Sequence, residues 1–386
     1  MKKIFLILLT VAIVFTSCTQ KDTPAYKRNI ATQKLLKKHR IKIALTGDWS
    51  SPNGTFIWQG AQLAAGEING ADGVLGAKIE LLKFDDNNKV SQGAEVAGKI
   101  TDDEEICAVI GHYSSSVSLY NSVIYHYYGV LTLTPFSTNT KLTKQNFPYL
   151  FRNISGNDAI ANEAVQLCKQ KNCKRVMALY LNNAYCSDLV DSFEKRCGEN
   201  SILVPDRISY EEVYNFNNYK EIAEKWKHDY SFDAVFIAGF LPQAAEIVSL
   251  FRSEGINVPV IGSIDFDSSD FFKTANNKTE NNFYCISNFN PNSENEAFNA
   301  FQSAFKENYG KNPNWEAAQS YDAVKVLAKA IQKAGSVKVE SIASALRTEE
   351  KWDECAGPYR FNENGDIEKQ LFIKKSSNGE FKLLSK

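Results

Sequence analysis

IKIALTGDWSSPNGTFIWQGAQLAAGEINGADGVLGAKIELLKF, residues 41–84, is the stretch that decides the fold of this chain. It begins with a short β-type run at residues 41–47, continues with an amphipathic helical pattern at residues 57–69, and ends with a second β-type run at residues 78–84. The same alternation of short strands and longer helices continues beyond it, which is typical of parallel sheets covered by helices. The sequence therefore predicts an α/β fold.

The alternation of strands and helices occurs in two successive halves of the chain. A stretch with Gly, Asn and Asp at residues 151–158 separates the two halves, and such a composition is typical of a junction. With 386 residues, the chain is too long for one typical core and long enough for two. We predict two lobes, with the elements after residue 282 crossing between them more than once.

The first eighteen residues, MKKIFLILLTVAIVFTSC, have the order of a secretory signal: lysines, an apolar run at residues 4–15, then small residues. The apolar run is shorter than the about 20 residues that a membrane-spanning helix needs. The ending Thr-Ser-Cys resembles the lipobox of bacterial lipoproteins, in which the cysteine is acylated after cleavage. The resemblance implies a signal peptide at residues 1–17 and lipidation of Cys18. We expect an exported protein, anchored to the cell membrane and facing the periplasm or the cell exterior.

Residues 18–40 are polar and rich in lysine, and they show no apolar periodicity. This stretch predicts a tether between the lipid anchor and the folded body. Its cations could rest on anionic lipid head groups or simply be solvated, and the composition leaves both alternatives open.

The composition argues against several classes of partner and cofactor. The net charge is −1, so there is no global basic field for nucleic acid. Seven of the eight cysteines follow Cys18 at scattered spacings, and the four histidines are not spaced for shared ligation of a metal. We predict no nucleic-acid partner, no metal site and no cofactor, and expect most of the cysteines to be small buried residues.

Enzyme motifs are missing from the sequence as well. It contains no G-x-S-x-G, H-E-x-x-H, G-x-x-x-x-G-K-[ST] or G-x-G-x-x-G pattern. The pair Asp85-Asp86 could bind a metal, but it follows a strand and precedes two asparagines, which favours a turn. We therefore predict no catalytic residue and no enzymatic activity.

In the first lobe, polar side chains follow two successive strands. The loop His112-Tyr113-Ser114-Ser115-Ser116 comes after the run at residues 107–111 and leads into a helix, and Thr138 lies just after the next strand. Ligands of open α/β sheets bind at the carboxyl ends of the strands, and a helix N-terminus with hydroxyls suits a carboxylate. Ordinary N-capping by serine is the alternative for the first loop.

In the second lobe, aromatic and acidic side chains follow the strands. Tyr185 and Phe240 each come shortly after a β-type run, and a third run is followed by Asp265, Asp267 and Asp270. An aspartate could hold the ammonium group of a zwitterion, and the rings could cover its side chain. The alternative for the acidic run is a solvated loop or a helix N-terminus.

Several of these stretches match one family in the same order. EINGADGVLGAKIELLKFDD at residues 67–86 is similar to a long and fairly specific passage of the solute-binding proteins of branched-chain amino-acid transporters, the Leu/Ile/Val-binding type of periplasmic binding protein. Further matches are GHYSSSVS (residues 111–118), TPFSTNTKLT (134–143), Phe151-Arg152 and YDAVKVLAKAI (321–331). The chain resembles this family from residue 41 to about residue 331.

The resemblance implies the type I periplasmic binding fold, with two Rossmann-like parallel-sheet lobes joined by three crossovers and closing over a ligand. It places residues 41–153 and 288–350 in the N-terminal lobe, and residues 154–287 and 351–386 in the C-terminal lobe. It also implies capture of an amino acid or an amino-acid-like ligand for delivery to an ABC transporter permease in the membrane. A sensor component that presents its bound solute to a membrane receptor is the alternative.

The resemblance also implies ligand-binding roles for eight residues: Tyr113, Ser114, Ser115, Phe136, Thr138, Tyr185, Phe240 and Asp265. Ser115 and Thr138 would hold the carboxylate and ammonium groups, with help from the main chain at Phe136 and Tyr113. Tyr185 and Phe240 would form an aromatic wall.

Asp265 would bind the ammonium group in this arrangement, with Asp267 as the second candidate. Trp49, Asn53 and Trp58 are further candidates for shaping the pocket. The identity of the ligand stays open.

Overall fold

The computed structural model describes residues 23–211, 213, 216–274, 279–290 and 293–384. Within these ranges the chain forms two α/β lobes with a cleft between them, which confirms the predicted fold class. The predicted signal peptide and Cys18 lie outside the described residues. Among the helices of the described part, none has the length and apolar character that a membrane span requires.

The first lobe begins with a helix and continues with a sheet whose strands alternate with helices. Its elements are α1 (Pro24–Leu36), β1 (Arg40–Gly47), α2 (Pro52–Gly70), β2 (Lys78–Asp85), α3 (Val90–Asp102), β3 (Ile106–Ile110), α4 (Ser115–Tyr128), β4 (Leu131–Thr134), α5 (Thr140–Lys144) and β5 (Leu150–Arg152). The five strands are all parallel, in the order β2-β1-β3-β4-β5. The inner strands β3 and β4 are buried along their whole length because helices cover both faces of the sheet.

The second lobe repeats this pattern. Its first elements are α6 (Asn157–Gln170), β6 (Val176–Leu181), α7 (Ala184–Glu199), β7 (Arg207–Tyr210), α8 (Phe216–Asp229), β8 (Ala234–Ala238), α9 (Gln243–Ser253), β9 (Val260–Gly262), α10 (Phe271–Thr274) and β10 (Phe283–Ser287). These five strands are parallel, in the order β10-β9-β8-β6-β7.

The remaining elements divide between the lobes. They are α11 (Glu296–Tyr309), α12 (Trp315–Ala334), α13 (Val339–Thr348), β11 (Trp352–Glu354), β12 (Gly357–Tyr359), β13 (Phe372–Ser377) and β14 (Glu380–Leu383). Helices α11 and α12 pack on α2 of the first lobe, and α13 packs on α12. Strands β13 and β14 extend the second sheet antiparallel beyond β10. The chain therefore crosses between the lobes three times, as predicted.

The last crossing lies later than the predicted boundary at residue 351. Cys355 Sγ donates to the carbonyl oxygen of Ala318 in α12 at 3.5 Å, and the ring of Phe361 packs edge-on against Phe151 of β5 at 5.2 Å. The amide of Arg152 also donates to the carbonyl of Gly365 at 2.8 Å. These contacts place residues 352–367 with the first lobe, so the return to the second lobe follows residue 367.

The close packing of α2 against α12 brings the start of α12 to the cleft. A Cβ atom on Gly60 would lie 2.2 Å from the carbonyl oxygen of Ala317, so only glycine allows this approach. The Ser320 hydroxyl donates to the carbonyl of Ile57 at 2.8 Å across the same interface. The side chain of Asn314 caps α12 by accepting from the amide of Ala317 at 3.0 Å.

Helix α1 corrects the expectation of a tether over residues 18–40. Its Arg28 is 2 % exposed, and its guanidinium donates to the carbonyl oxygens of Thr101, Asp103 and Ile106 at 2.8, 2.9 and 2.7 Å. Burial lowers the pKa of Arg28, and these main-chain acceptors take the place of its lost hydration. Residues 24–36 are therefore part of the folded first lobe.

The expectation that most of the cysteines are small buried residues is confirmed, and the structure adds their pairing state. All seven that the structure describes are buried and unpaired. Within the same ranges, no cluster of three or more His, Cys, Asp or Glu side chains is placed to hold a metal ion.

Candidate ligand-binding site

A cleft of about 620 Å³ lies between the two lobes, a volume that suits a small organic ligand. Loops at the carboxyl ends of strands from both sheets line it, as parallel sheets favour. The structure brings together at this cleft all eight predicted residues: Tyr113, Ser114, Ser115, Phe136, Thr138, Tyr185, Phe240 and Asp265.

The first-lobe wall is built on the start of α4. Ser114 is the N-cap residue of this helix, but its side chain makes no capping hydrogen bond. Ser115, 5 % exposed, begins the first turn. Unsatisfied amides at a helix N-terminus attract negative charge, so this corner of the cleft suits a carboxylate.

Hydrogen bonds fix the loop before α4 in place. The hydroxyls of Ser118 and Ser137 both donate to the carbonyl of His112 at 3.2 Å, and these two hydroxyls also contact each other. The loops that follow β3 and β4 are thereby tied together, although each comes from a different strand. Thr138, the residue after Ser137, is 1 % exposed and its hydroxyl has no partner among the described residues.

His112 belongs to the support of the site and not to the cleft surface. Its Nδ1 contacts the carboxylate of Asp86, and its Nε2 lies 3.0 Å from the Tyr125 hydroxyl. The other oxygen of Asp86 accepts from the amide of Asn88 at 2.8 Å, and Asp85 likewise accepts from the amide of Asn87 at 3.0 Å. Asp85 and Asp86 thus form the turn that the sequence favoured.

Aromatic rings from both lobes enclose the cleft. On the first lobe the rings of Tyr113 and Phe136 have centroids 5.4 Å apart, and Trp315 lies edge-on to Phe136 at 6.3 Å. On the second lobe Tyr185 and Phe240 pack at 5.7 Å. Such walls suit the apolar part of a ligand side chain.

Asp265 provides the second-lobe wall with a carboxylate. It lies in a single 3₁₀ turn, Ile264–Phe266, after β9, and burial raises its pKa to about 7. The hydroxyls of Tyr185 and Ser263 lie near this carboxylate and offset part of the shift, but neither forms a well-aligned hydrogen bond with its Oδ2. Burial likewise raises the pKa of Tyr185.

Asp267, the second candidate for an ammonium partner, is used within the lobe instead. The Lys374 ammonium lies 2.9 and 2.7 Å from its two oxygens, and the Ser287 hydroxyl donates to it. It does not line the cleft, so the geometry favours Asp265 over Asp267.

Of the three residues predicted to shape the pocket, one lines the cleft and two do not. Asn53 lines the cleft, and its amide donates to the Tyr113 hydroxyl at 3.2 Å. Trp49 and Trp58 are not among the lining residues; they pack edge to face at 6.1 Å, with the Lys83 ammonium 4.9 Å from each ring.

Sequence reasoning missed Trp315 and Glu316 at the start of α12. Glu316 is 4 % exposed, and burial together with the carboxylates of Asp265, Asp267 and Asp270 raises its pKa to about 8. The rule that ligands bind at the carboxyl ends of parallel strands points to the loops after strands, whereas these residues begin a helix. A signal was present, because a glutamate on the same helical face as the apolar residues of α12 is unusual.

The structure has two α/β lobes, each built on five parallel strands, and the chain crosses between them three times. A polar and aromatic cleft lies between the lobes. This is the architecture of a two-lobed solute-binding protein. The model of the periplasmic binding protein family matches residues 40–380, and the chain belongs to this family.

Named relatives agree with this assignment. The chain is 27 % identical over 328 residues to the Leu/Ile/Val-binding protein homolog 1 of Brucella suis biovar 1 (strain 1330), covering 84 % of this chain and 86 % of the relative. An ABC transporter substrate-binding protein from Desulfitobacterium hafniense, solved in complex with Leu, has 30 % identity and a TM-score of 0.79 over 89 % of this chain and all of its own. The leucine-binding protein LivK from Thermotoga maritima MSB8 has 26 % identity and a TM-score of 0.82, over 89 % of this chain and 98 % of its own.

Proposed function

We propose that this protein captures an amino acid in the cleft between its lobes and delivers it to an ABC transporter in the membrane. The observation that carries the proposal is the placement of complementary groups on opposite walls. The first lobe presents the open N-terminus of α4 and the unpartnered hydroxyl of Thr138, and the second lobe presents the carboxylate of Asp265.

Each end of an amino acid finds a suitable group in this cleft. The α-carboxylate would accept hydrogen bonds from the Ser115 hydroxyl and the amides of the first turn of α4. The ammonium group would contact Asp265 and the Thr138 hydroxyl, where a charged acceptor replaces its lost hydration. The rings of Tyr185 and Phe240 would cover the side chain of the ligand.

Because the carboxylate site lies on the first lobe and Asp265, which would bind the ammonium group, lies on the second, the ligand would hold the lobes together. This is the physical basis for closure by a hinge motion, in which the bound ligand favours the closed arrangement. The relatives named above support an amino acid as the ligand and an ABC transporter as the recipient. Membership of a substrate-binding family also supports binding without chemical conversion.

We further propose that the protein works outside the cytoplasm on a lipid anchor at Cys18. The lipobox-like sequence before Cys18 supports acylation. Labelling with a fatty-acid analogue in cells, compared with a Cys18→Ser variant, tests this part of the proposal. Label on the unchanged chain alone is expected, and equal labelling of both would contradict it.

A thermal-shift screen of the purified protein tests the proposed ligand class. We expect an amino acid to raise the melting temperature, because a ligand of the native state alone adds about 2.7 kcal/mol at a hundredfold excess over Kd. Sugars and nucleosides are the comparison compounds. A shift with one of these and none with any amino acid would contradict the proposal. Recovery of the bound amino acid unchanged would support binding without catalysis.

A further inference from the structure

The cleft has an unusual balance of charge. Within the described part of the chain, its lining includes no lysine, arginine or histidine side chain. It includes four acidic residues, which are Glu211, Asp265, Asp270 and Glu316. A zwitterionic ligand brings one negative and one positive charge, so it cannot neutralise this excess.

Two of the four acidic residues already have partners at the rim. Glu211 is exposed and accepts from the Asn182 amide at 3.0 Å, and Asp270 pairs with Lys273 at 2.6 Å. Solvent stabilises the charge of the exposed Glu211 and the Lys273 ammonium that of Asp270, so neither needs a ligand cation.

Asp265 and Glu316 differ from the rim pair because they are more buried and have no ion pair with any described cation. Glu316 is 4 % exposed, and the charged groups that influence it are other carboxylates, which oppose its ionisation. An ionised carboxyl group that is buried without a partner is costly, and a ligand cation would remove that cost.

Other buried groups at the same cleft point independently to a polar ligand. The Thr138 hydroxyl has no partner among the described residues, and the Tyr185 hydroxyl, near the Asp265 carboxylate, makes no well-aligned hydrogen bond, although these residues are only 1 % and 7 % exposed. Buried polar atoms in native proteins are nearly always hydrogen-bonded, so these atoms indicate where polar groups of a ligand come to lie.

Glu316 and Asp265 face the cleft from opposite lobes. Glu316 comes from α12 of the first lobe and Asp265 from the turn after β9 of the second. Both carboxylates lie close enough to Tyr113 to raise the pKa of its hydroxyl, in addition to the larger effect of burial. Trp315 directly precedes Glu316, lines the same cleft and packs edge-on against Phe136, so aromatic rings and this carboxylate lie on the same wall.

From this arrangement we infer that the ligand carries a second positive charge, held by Glu316, and is an amino acid with a cationic side chain. This inference rests on the proposed function, in which Asp265 and α4 take the ammonium and carboxylate groups. The methylene stem of such a side chain would pack on the rings, and its charged end would meet both a carboxylate and aromatic faces.

Two pairs of nearly isosteric amino acids test the inference in the purified protein. Lysine is compared with norleucine, and arginine with citrulline, by isothermal titration calorimetry. We expect at least one cation to bind about ten- to a hundredfold more tightly than its neutral counterpart, as a charge-assisted contact provides. The variant Glu316→Gln should reduce that ratio to near one. Glu307→Gln, an exposed position on α11, is the matched control and should leave the ratio unchanged.

The outcomes separate the inference from the proposed function. Equal or tighter binding of norleucine and citrulline would overturn the cationic ligand while amino-acid binding stands. An unchanged preference for the cation in Glu316→Gln would overturn the role of Glu316. Binding of none of the four, nor of any other amino acid, would overturn the proposed function together with the inference.

Discussion

Buried acidic groups have opposite surroundings in the interior of the second lobe and in the cleft. Inside the lobe, Asp267 is 8 % exposed and forms an ion pair with Lys374, itself 4 % exposed, while Ser287 donates a further hydrogen bond. In the cleft, Asp265 lies two residues earlier in the chain and its Oδ2 has no partner among the described residues. Glu316 on the facing wall also lacks a described cation.

The difference shows how the chain distributes buried charge. In the interior of the second lobe, the Lys374 ammonium group on β13 neutralises the Asp267 carboxylate. Where Asp265 and Glu316 face the cleft, no described cation pairs with them, and the electrostatic cost remains until a ligand enters. Perturbed and unpaired ionisable groups are therefore a sign of function at this cleft.

Breaking the interior pair should have the largest effect. Replacing Asp267 by Ala leaves the Lys374 ammonium buried without a counter-charge, and we expect the free energy of unfolding to fall by about 3 to 5 kcal/mol. Urea denaturation measures this. Adding Lys374→Met to the same chain should recover part of the loss, and a single variant as stable as the unchanged protein would contradict the comparison.

Asp265→Asn should weaken ligand binding without lowering the stability of the ligand-free protein. It removes the charge that faces the ligand, and we expect the binding free energy of the amino acid to weaken by about 1.5 to 3 kcal/mol. The stability of the empty protein should not fall, because the carboxylate forms no ion pair with a described cation and its ionisation is opposed by burial. Asp102→Asn, at an exposed position in α3, is the matched control for calorimetry. Unchanged affinity in Asp265→Asn would remove this residue from the site.

The pH dependence of the empty protein should follow the cleft carboxyls. In the folded chain the pKa values of Asp265 and Glu316 are raised to about 7 and about 8, above their unfolded values near 4. Their contribution to stability is thus fully present below about pH 4 and is lost as the pH rises through 7 and 8. The double variant Asp265→Asn, Glu316→Gln should flatten the fall of the melting temperature between about pH 4 and 8. Identical slopes in both proteins would contradict this origin.

Thr138→Val should have the smallest effect. The substitution removes a hydroxyl that has no described partner in the empty protein, so stability should be kept or slightly increased. Ligand binding should weaken by about 0.5 to 1.5 kcal/mol through the loss of one hydrogen bond. Thr348→Val, at the exposed end of α13, serves as the control in the same titration.

The sequence predicted the two-lobed fold and the positions of the cleft walls because both depend on local pattern. Strand ends and the resemblance together identified Ser115, Thr138, Tyr185 and Asp265, and the structure places all of these at the cleft. These predictions needed only the order of elements and the rule that parallel strands present their carboxyl ends to ligands.

What the sequence left undecided depends on partners far along the chain. The sequence could not show which of Asp265 and Asp267 faces the ligand, because Lys374, which forms an ion pair with Asp267, lies 107 residues later in the chain. Helix α1 was missed for a similar reason: it is a weakly amphipathic segment, held by Arg28 contacts to carbonyls 73 to 78 residues away. Glu316 lies at the start of a helix, whereas the rule for parallel sheets points to the loops that follow strands.

Proton release on binding tests the central claim most directly. In the ligand-free protein, burial keeps Asp265 and Glu316 partly protonated near neutral pH, and we expect a ligand cation to ionise them. Calorimetry of lysine, or of the amino acid that the screen identifies, at pH 7 in buffers of different ionisation enthalpy counts the protons exchanged. The account predicts net release by the unchanged protein and less in Asp265→Asn and Glu316→Gln. Binding without proton exchange, or with release that neither substitution reduces, would contradict it.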